Sequence, residues 1–80
     1  MTLEILAPDK SLFMGQARAV TVPGIDGELQ VLSHHAPYVN ALAKGDIRVY
    51  TEENTCLHFP CNSGFISVSP KITCLLVYQG

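Results

Sequence analysis

Turn signals recur along this chain too closely for helices to fit between them. Pro8-Asp9-Lys10, Met14-Gly15, Pro23-Gly24 with Asp26-Gly27, Lys44-Gly45-Asp46, Glu52-Glu53-Asn54, Asn62-Ser63-Gly64 and Ser69-Pro70 punctuate only 80 residues. The segments between them are rich in β-branched and aromatic residues and predict short strands. Alternation agrees. Asp46-Ile47-Arg48-Val49-Tyr50 sets Ile47 and Val49 on one face, and Leu57, Phe59 and Cys61 alternate with His58 and Pro60. Leu75-Leu76-Val77 is apolar on both faces and predicts a strand covered on both sides. Only Ala36 to Lys44 has a helical aspect, which Pro37, Val39 and Asn40 oppose. No repeat, low-complexity tract or linker interrupts the chain, so residues 1–80 are expected to form a single all-β domain, a sandwich or barrel.

A chain that is 48% hydrophobic and only 15% charged is more apolar than a monomer with a uniformly polar surface requires. Part of its surface is therefore expected to lie against a partner. The net charge of −2 and the scattering of Lys10, Arg18, Lys44, Arg48 and Lys71 argue against nucleic acid as that partner. Three cysteines, Cys56, Cys61 and Cys74, make neither an even set nor a Cys-x-x-Cys pair, which fits a reducing compartment. Each has apolar neighbours and is expected as a buried thiol. The opening MTLEILAPDK has no basic region and no long apolar run, so neither a signal peptide nor a membrane span is expected.

Val22 to Pro37, VPGIDGELQVLSHHAP, is the one stretch dense in chemistry-bearing residues. Adjacent His34 and His35 point to opposite faces of an extended backbone, and His58 and the cysteines lie at none of the usual metal-ligand spacings. Ser33 beside the histidines lacks a nucleophile elbow, and no acid is fixed as an orienting partner. A phosphate loop is excluded by the missing Gly-Lys-Ser/Thr. What remains is a docking loop, with Leu29 and Val31 inward, Glu28 and Gln30 outward, and the exit set by Ala36-Pro37.

Along the whole chain these residues resemble the N-terminal β-domain of the epsilon subunit of F-type ATP synthase. Leu3-Glu4-Ile5 leads through Pro8 to Phe13-Met14-Gly15. There follow Val22-Pro23-Gly24, Asp26-Gly27-Glu28, His34-His35-Ala36-Pro37, Ala41-Leu42 to Gly45, Ile47-Arg48, Gly64-Phe65, Val68 and Ile72-Thr73, in the family's order. Gln30, Ser33 and His34 stand where that family commonly has Gly, Pro and Gly. Asn62-Ser63-Gly64 replaces its Ser-Gly-Gly, and Ser67 replaces a glutamate.

The resemblance implies a flattened ten-stranded β-sandwich of two five-stranded sheets over residues 1–80. It implies a non-catalytic rotor subunit in the central stalk, with no cofactor or metal of its own. Its partners would be the gamma subunit and the ring of c subunits, which it couples in proton-driven ATP synthesis. Glu28, Gln30, Ser33, His34 and His35 are the expected partner-binding residues, with His35 at the same end of the domain as Glu28. Many members continue into a C-terminal helical hairpin. Here the apolar LLVYQG ends at Gly80 without a polar lead-in, which points to a short subunit lacking the hairpin. Reduced thiols and the lack of a transit peptide favour the cytoplasmic side of a bacterial inner membrane, reached through the complex. The competing readings are a generic β-sandwich interaction module and, behind it, a small His/Cys metal-binding protein.

Overall fold

The computed structural model describes residues 1–80. Eight strands follow one another: β1 (Thr2–Ala7), β2 (Lys10–Gly24), β3 (Gly27–Leu32), β4 (Tyr38–Leu42), β5 (Gly45–Thr51), β6 (Cys56–Cys61), β7 (Ser63–Val68) and β8 (Thr73–Tyr78).

β2 organises the rest. Its first part pairs with β1, from Lys10 opposite Ala7 to Gln16 opposite Thr2. Its later part lies between β5, from Ala17 to Thr21, and β3, from Ala19 to Gly24. An extra residue, Arg18, marks the handover: Ala17 stands opposite Thr51, and Ala19 opposite Tyr50. Because side chains alternate, one inserted residue exchanges the faces of the strand. Phe13 and Ala17 face the core before it, and Val20 and Val22 after it. Arg18 Nε donates to the Thr51 carbonyl at 3.0 Å and holds the bulge.

β1 also pairs in parallel with β8, Leu3–Leu6 beside Thr73–Leu76. β8, β7 and β4 continue antiparallel, and Leu42 of β4 meets Gly24 of β2. β6 adds to the outside of β5. All eight strands thus form one hydrogen-bonded sheet folded over on itself through β2. The all-β expectation holds, but the strand count does not. There are eight strands, not ten in two five-stranded sheets, because the unbroken 15-residue β2 serves both halves.

Fourteen buried residues drawn from every strand fill the space inside the fold, with Leu3, Ile5, Val20, Ile47, Ile66 and Leu75 among the most deeply buried. No aromatic ring is fully buried. Phe13 and Phe59 pack at the margin of the core. The accessible surface of 4647 Å² is close to the roughly 4,700 Å² expected for a compact chain of this mass. The chain is therefore as compact as a closed domain of its size.

Two expected turns are absent. Met14-Gly15 and Pro23-Gly24 both lie within β2. Gly15 pairs with Leu3, and the Phe13 ring lies 3.7 Å from where a Cβ would stand, so the ring fills the gap a glycine leaves in a strand. Ala36 to Lys44 is not helical; it contains β4. β8 is covered on one face only. Leu75 and Val77 are fully buried, whereas Leu76 and Tyr78 are exposed. Of the three cysteines only Cys61 is buried. Cys74 is half-buried, and Cys56 is exposed because it starts the outer strand β6 on the outward face, opposite Tyr50.

Candidate functional site

The docking residues expected from sequence divide into two groups. Glu28 and Gln30 project outward from β3, as the alternation predicts, while Val31 is buried and Leu29 packs on the core. Glu28 stands opposite Pro23, beside the two-residue Ile25-Asp26 hairpin. Its Oε2 accepts a 2.8 Å hydrogen bond from Arg48 Nη2 of β5. The Glu28 carboxylate is the main cause that raises the Arg48 guanidinium above its ordinary value, with Tyr50 next. Any partner that takes Glu28 must therefore accommodate or replace Arg48.

Ser33, His34 and His35 lie beyond the other end of β3. At about 3.4 Å per residue, the extended strand from Glu28 to Leu32 spans roughly 14 Å before the turn begins. One small loop cannot present both groups side by side, so the expectation that His35 shares an end with Glu28 is corrected. A turn closes where His35 N donates to the Leu32 carbonyl at 3.2 Å. His34 sits in it with φ 67°, a left-handed conformation. That accounts for a glycine preference at this position, since L residues adopt the region reluctantly.

His35 is engaged within its own loop: Nδ1 lies 2.7 Å from the Ala36 carbonyl, and the ring meets Tyr38 edge-on at 6.0 Å. The Met1 ammonium donates to Ser33 Oγ at 3.3 Å and to the Ala17 carbonyl at 2.9 Å. Ser33, His34 and His35 thereby line an open cleft facing Ser69, Pro70 and Lys71 of the β7–β8 turn. Neither histidine meets Ser33 as a base would, and no three His, Cys, Asp or Glu side chains are grouped to hold a metal ion. Asp46 bonds to His58 and not to either of these histidines, with Oδ2 2.7 Å from His58 Nδ1.

The surface that sequence reasoning missed is apolar. Register places Val39, Ser67, Cys74, Glu4 and Met14 in one outward row across β4, β7, β8, β1 and β2. A second row runs Ala41, Phe65, Leu76 and Leu6. Val39 is 73% exposed, Met14 61% and Phe65 55%, and Leu76 and Tyr78 extend the patch. Only Glu4 brings a charge to these rows. A face this continuous and this poor in charge is built to be covered. The signal for it was present in the double-sided apolarity of Leu75-Leu76-Val77, which reflects one core face and one docking face. Val39 opens the patch directly beyond Pro37, so the patch is continuous with the Ser33–Pro37 loop.

Residues 1–79 match the ATP synthase delta/epsilon chain, beta-sandwich domain family. An ATP synthase epsilon chain from Chlorobaculum tepidum is 37% identical over 78 residues, covering 98% of this chain and 89% of that one. ATP synthase epsilon chain 1 from Methylococcus capsulatus is 33% identical over 76 residues; these cover 95% of this chain but only 54% of that protein's length. Among solved structures, a chain of the Euglena gracilis mitochondrial ATP synthase OSCP/F1/c-ring assembly superposes with a TM-score of 0.88 over 94% of this chain and 48% of its own. Its identity of 23% makes that a likeness of fold.

Proposed function

This chain belongs to the ATP synthase delta/epsilon chain β-sandwich family, and from that premise we propose that it is a non-catalytic rotor subunit of the central stalk. It couples the gamma subunit to the c ring in proton-driven ATP synthesis, as one domain over residues 1–80. The observation that carries this reading is the family match along residues 1–79. The chain makes no bond itself. It contributes a rigid body between two partners, peripheral to the membrane and, in a bacterial cell, on the cytoplasmic side. In this role the folded-over sheet acts as a sandwich, with β4, β7, β8, β1 and the start of β2 as one layer. The rest of β2 with β3, β5 and β6 forms the other.

The geometry supports a division of labour. The apolar outer face of the first layer, with Ser33, His34 and His35 at its margin, is the gamma side. A torque-bearing contact must not slip, and a stable interface buries about 800 Å² on each partner, with its centre depleted of charge. Val39, Phe65, Leu76 and Met14 meet that description. Glu28 and Gln30, which point outward from β3 with Glu28 roughly 14 Å from its far end, meet the polar loops of the c ring. The test is a titration of this chain against purified gamma subunit, followed by size-exclusion chromatography. A stoichiometric complex is expected. Absence of binding at micromolar concentration would overturn the stalk assignment and leave a β-sandwich interaction module with another partner.

A further inference from the structure

On the outward face of β5 and β6, bordering the open cleft that also holds Glu28, three groups come together that the rotor role does not use. Cys56 and His58, two apart on β6, point the same way, and Cys56 Sγ lies 3.6 Å from His58 Nε2. The other ring nitrogen, Nδ1, lies 2.7 Å from Asp46 Oδ2 of β5. A carboxylate fixed on Nδ1 holds the proton there and leaves Nε2 as the acceptor facing the thiol. A nucleophile, a base and an orienting acid in hydrogen-bond sequence are the elements of an activated thiol. All three residues are exposed, so a small molecule can reach the sulfur.

We propose that Cys56 is a reactive thiol that exchanges with small-molecule disulfides, with His58 as its base and Asp46 as the positioning residue. The Sγ proton moves to His58 Nε2. The thiolate attacks one sulfur of the disulfide; a new Sγ–S bond forms as the S–S bond breaks. The departing thiolate takes the proton from Nε2. The products are a mixed disulfide on Cys56 and one free thiol, with no electrons left over and no other reactant. The same path in reverse, with an excess of thiol, removes the group.

The surroundings set the limits of the effect. Arg48 of β5 lies directly opposite His58, and its charge is shared with Glu28 of β3 at 2.8 Å. Tyr50 stands opposite Cys56. Glu52 and Glu53 occupy the β5–β6 turn and oppose a negative charge on the sulfur, while Lys44 precedes β5 at the far end. Cys56 shares its row with Tyr50, Ala19 and Leu32, at the opposite end of this face from Glu28. Asp46, Arg48 and His58 share an open cleft with Glu28, so a partner seated on Glu28 borders the His58–Asp46 pair, while Cys56 lies toward the other end of β6. The other two thiols serve as internal controls. Burial pushes both Cys61 and Cys74 up, with Glu4 adding at Cys74, so neither competes.

The experiment uses the full chain with oxidised glutathione in excess, following the mixed disulfide by mass spectrometry from pH 6 to pH 9.5. One adduct is expected, on Cys56, and it is lost in Cys56→Ser. His58→Gln is expected to slow exchange about tenfold at pH 6. That is below the roughly hundredfold or more usual for general-base assistance, because the gain in thiolate is offset by its weaker nucleophilicity. Asp46→Asn should slow it about threefold. Both variants should converge on the parent rate at the top of the pH range, where hydroxide from solution takes the thiol proton in place of His58, a pattern that a merely structural effect would not produce. Equal rates for parent and His58→Gln at pH 6, or an adduct mainly on Cys74, would overturn the proposal.

Discussion

Gly64 is the position where one added methyl group should matter most. It is buried in β7 between β4 and β8, opposite Leu42 on one side and Val77 on the other. A Cβ there would overlap the Leu76 carbonyl oxygen and lie 3.2 Å from both the Leu76 carbonyl carbon and the Val77 Cα. All of these are backbone atoms, so no side chain can swing aside. Relief requires β8 to slide, and disrupting two ladder hydrogen bonds costs about 2 kcal/mol. Residual overpacking adds about 1–2 kcal/mol, and the lower entropy of an unfolded alanine returns about 0.5 kcal/mol. Gly64→Ala should therefore destabilise the domain by about 3 kcal/mol, against a total of about 4–12 kcal/mol for a domain of this length. The corresponding fall in Tm is about 12–24 °C. Urea and thermal unfolding measure it directly. Gly15→Ala is the matched control, since its Cβ would meet only the Phe13 ring at 3.7 Å, an ordinary contact. Equal unfolding midpoints for the two variants would refute the reasoning.

Phe65→Ser should leave the unfolding midpoint nearly unchanged, because the ring is largely exposed, yet weaken gamma binding about 30-fold or more in the titration above. Glu28→Ala should weaken binding to isolated c ring no more than about fivefold, because an exposed carboxylate at a rim contributes little. Ring binding lost as completely as in Gly64→Ala would refute that ranking. Stability should fall as the pH rises above about 8.5. There the unfolded thiols ionise while Cys61 and Cys74, held up by burial, keep their protons until the pH passes their folded values. Urea midpoints at pH 7.5 and 10 test this, and the drop should shrink in Cys61→Ala/Cys74→Ala.

Much of the fold was legible because local chemistry decides it. Pro8-Asp9, Asp26-Gly27, Lys44-Gly45 and Ser69-Pro70 lie at or beside strand junctions, and Ile47 and Val49 share a buried face. β2 was not legible as one strand. Its alternation reverses at Arg18, and an inserted residue that exchanges faces looks in sequence like the end of an element. Its internal Met14-Gly15 and Pro23-Gly24 carry turn chemistry that pairing with β1 and β3 overrides. The docking residues were legible in type but not in arrangement. Glu28 and His35 are close in sequence, and only the straightness of β3 separates them. Cys56 and His58, two apart, were legible on one face, but Asp46 beside His58 was not. Which of three acids, thiols or cations lies beside a histidine across two strands depends on register, and register is a property of the pairing.

The parallel pairing of β1 with β8 joins Leu3–Leu6 to Thr73–Leu76, nearly the whole length of the chain apart. As the polypeptide leaves the ribosome, β1 can find β2 at once but must wait for β8. Until then β1 and β7 each carry an unsatisfied backbone edge, open to pairing with other chains. Closing so long a loop is slow relative to forming hairpins. The domain should therefore be most exposed to aggregation late in synthesis. A chain released before Thr73 should behave as an adhesive strand, not as a smaller copy of the fold.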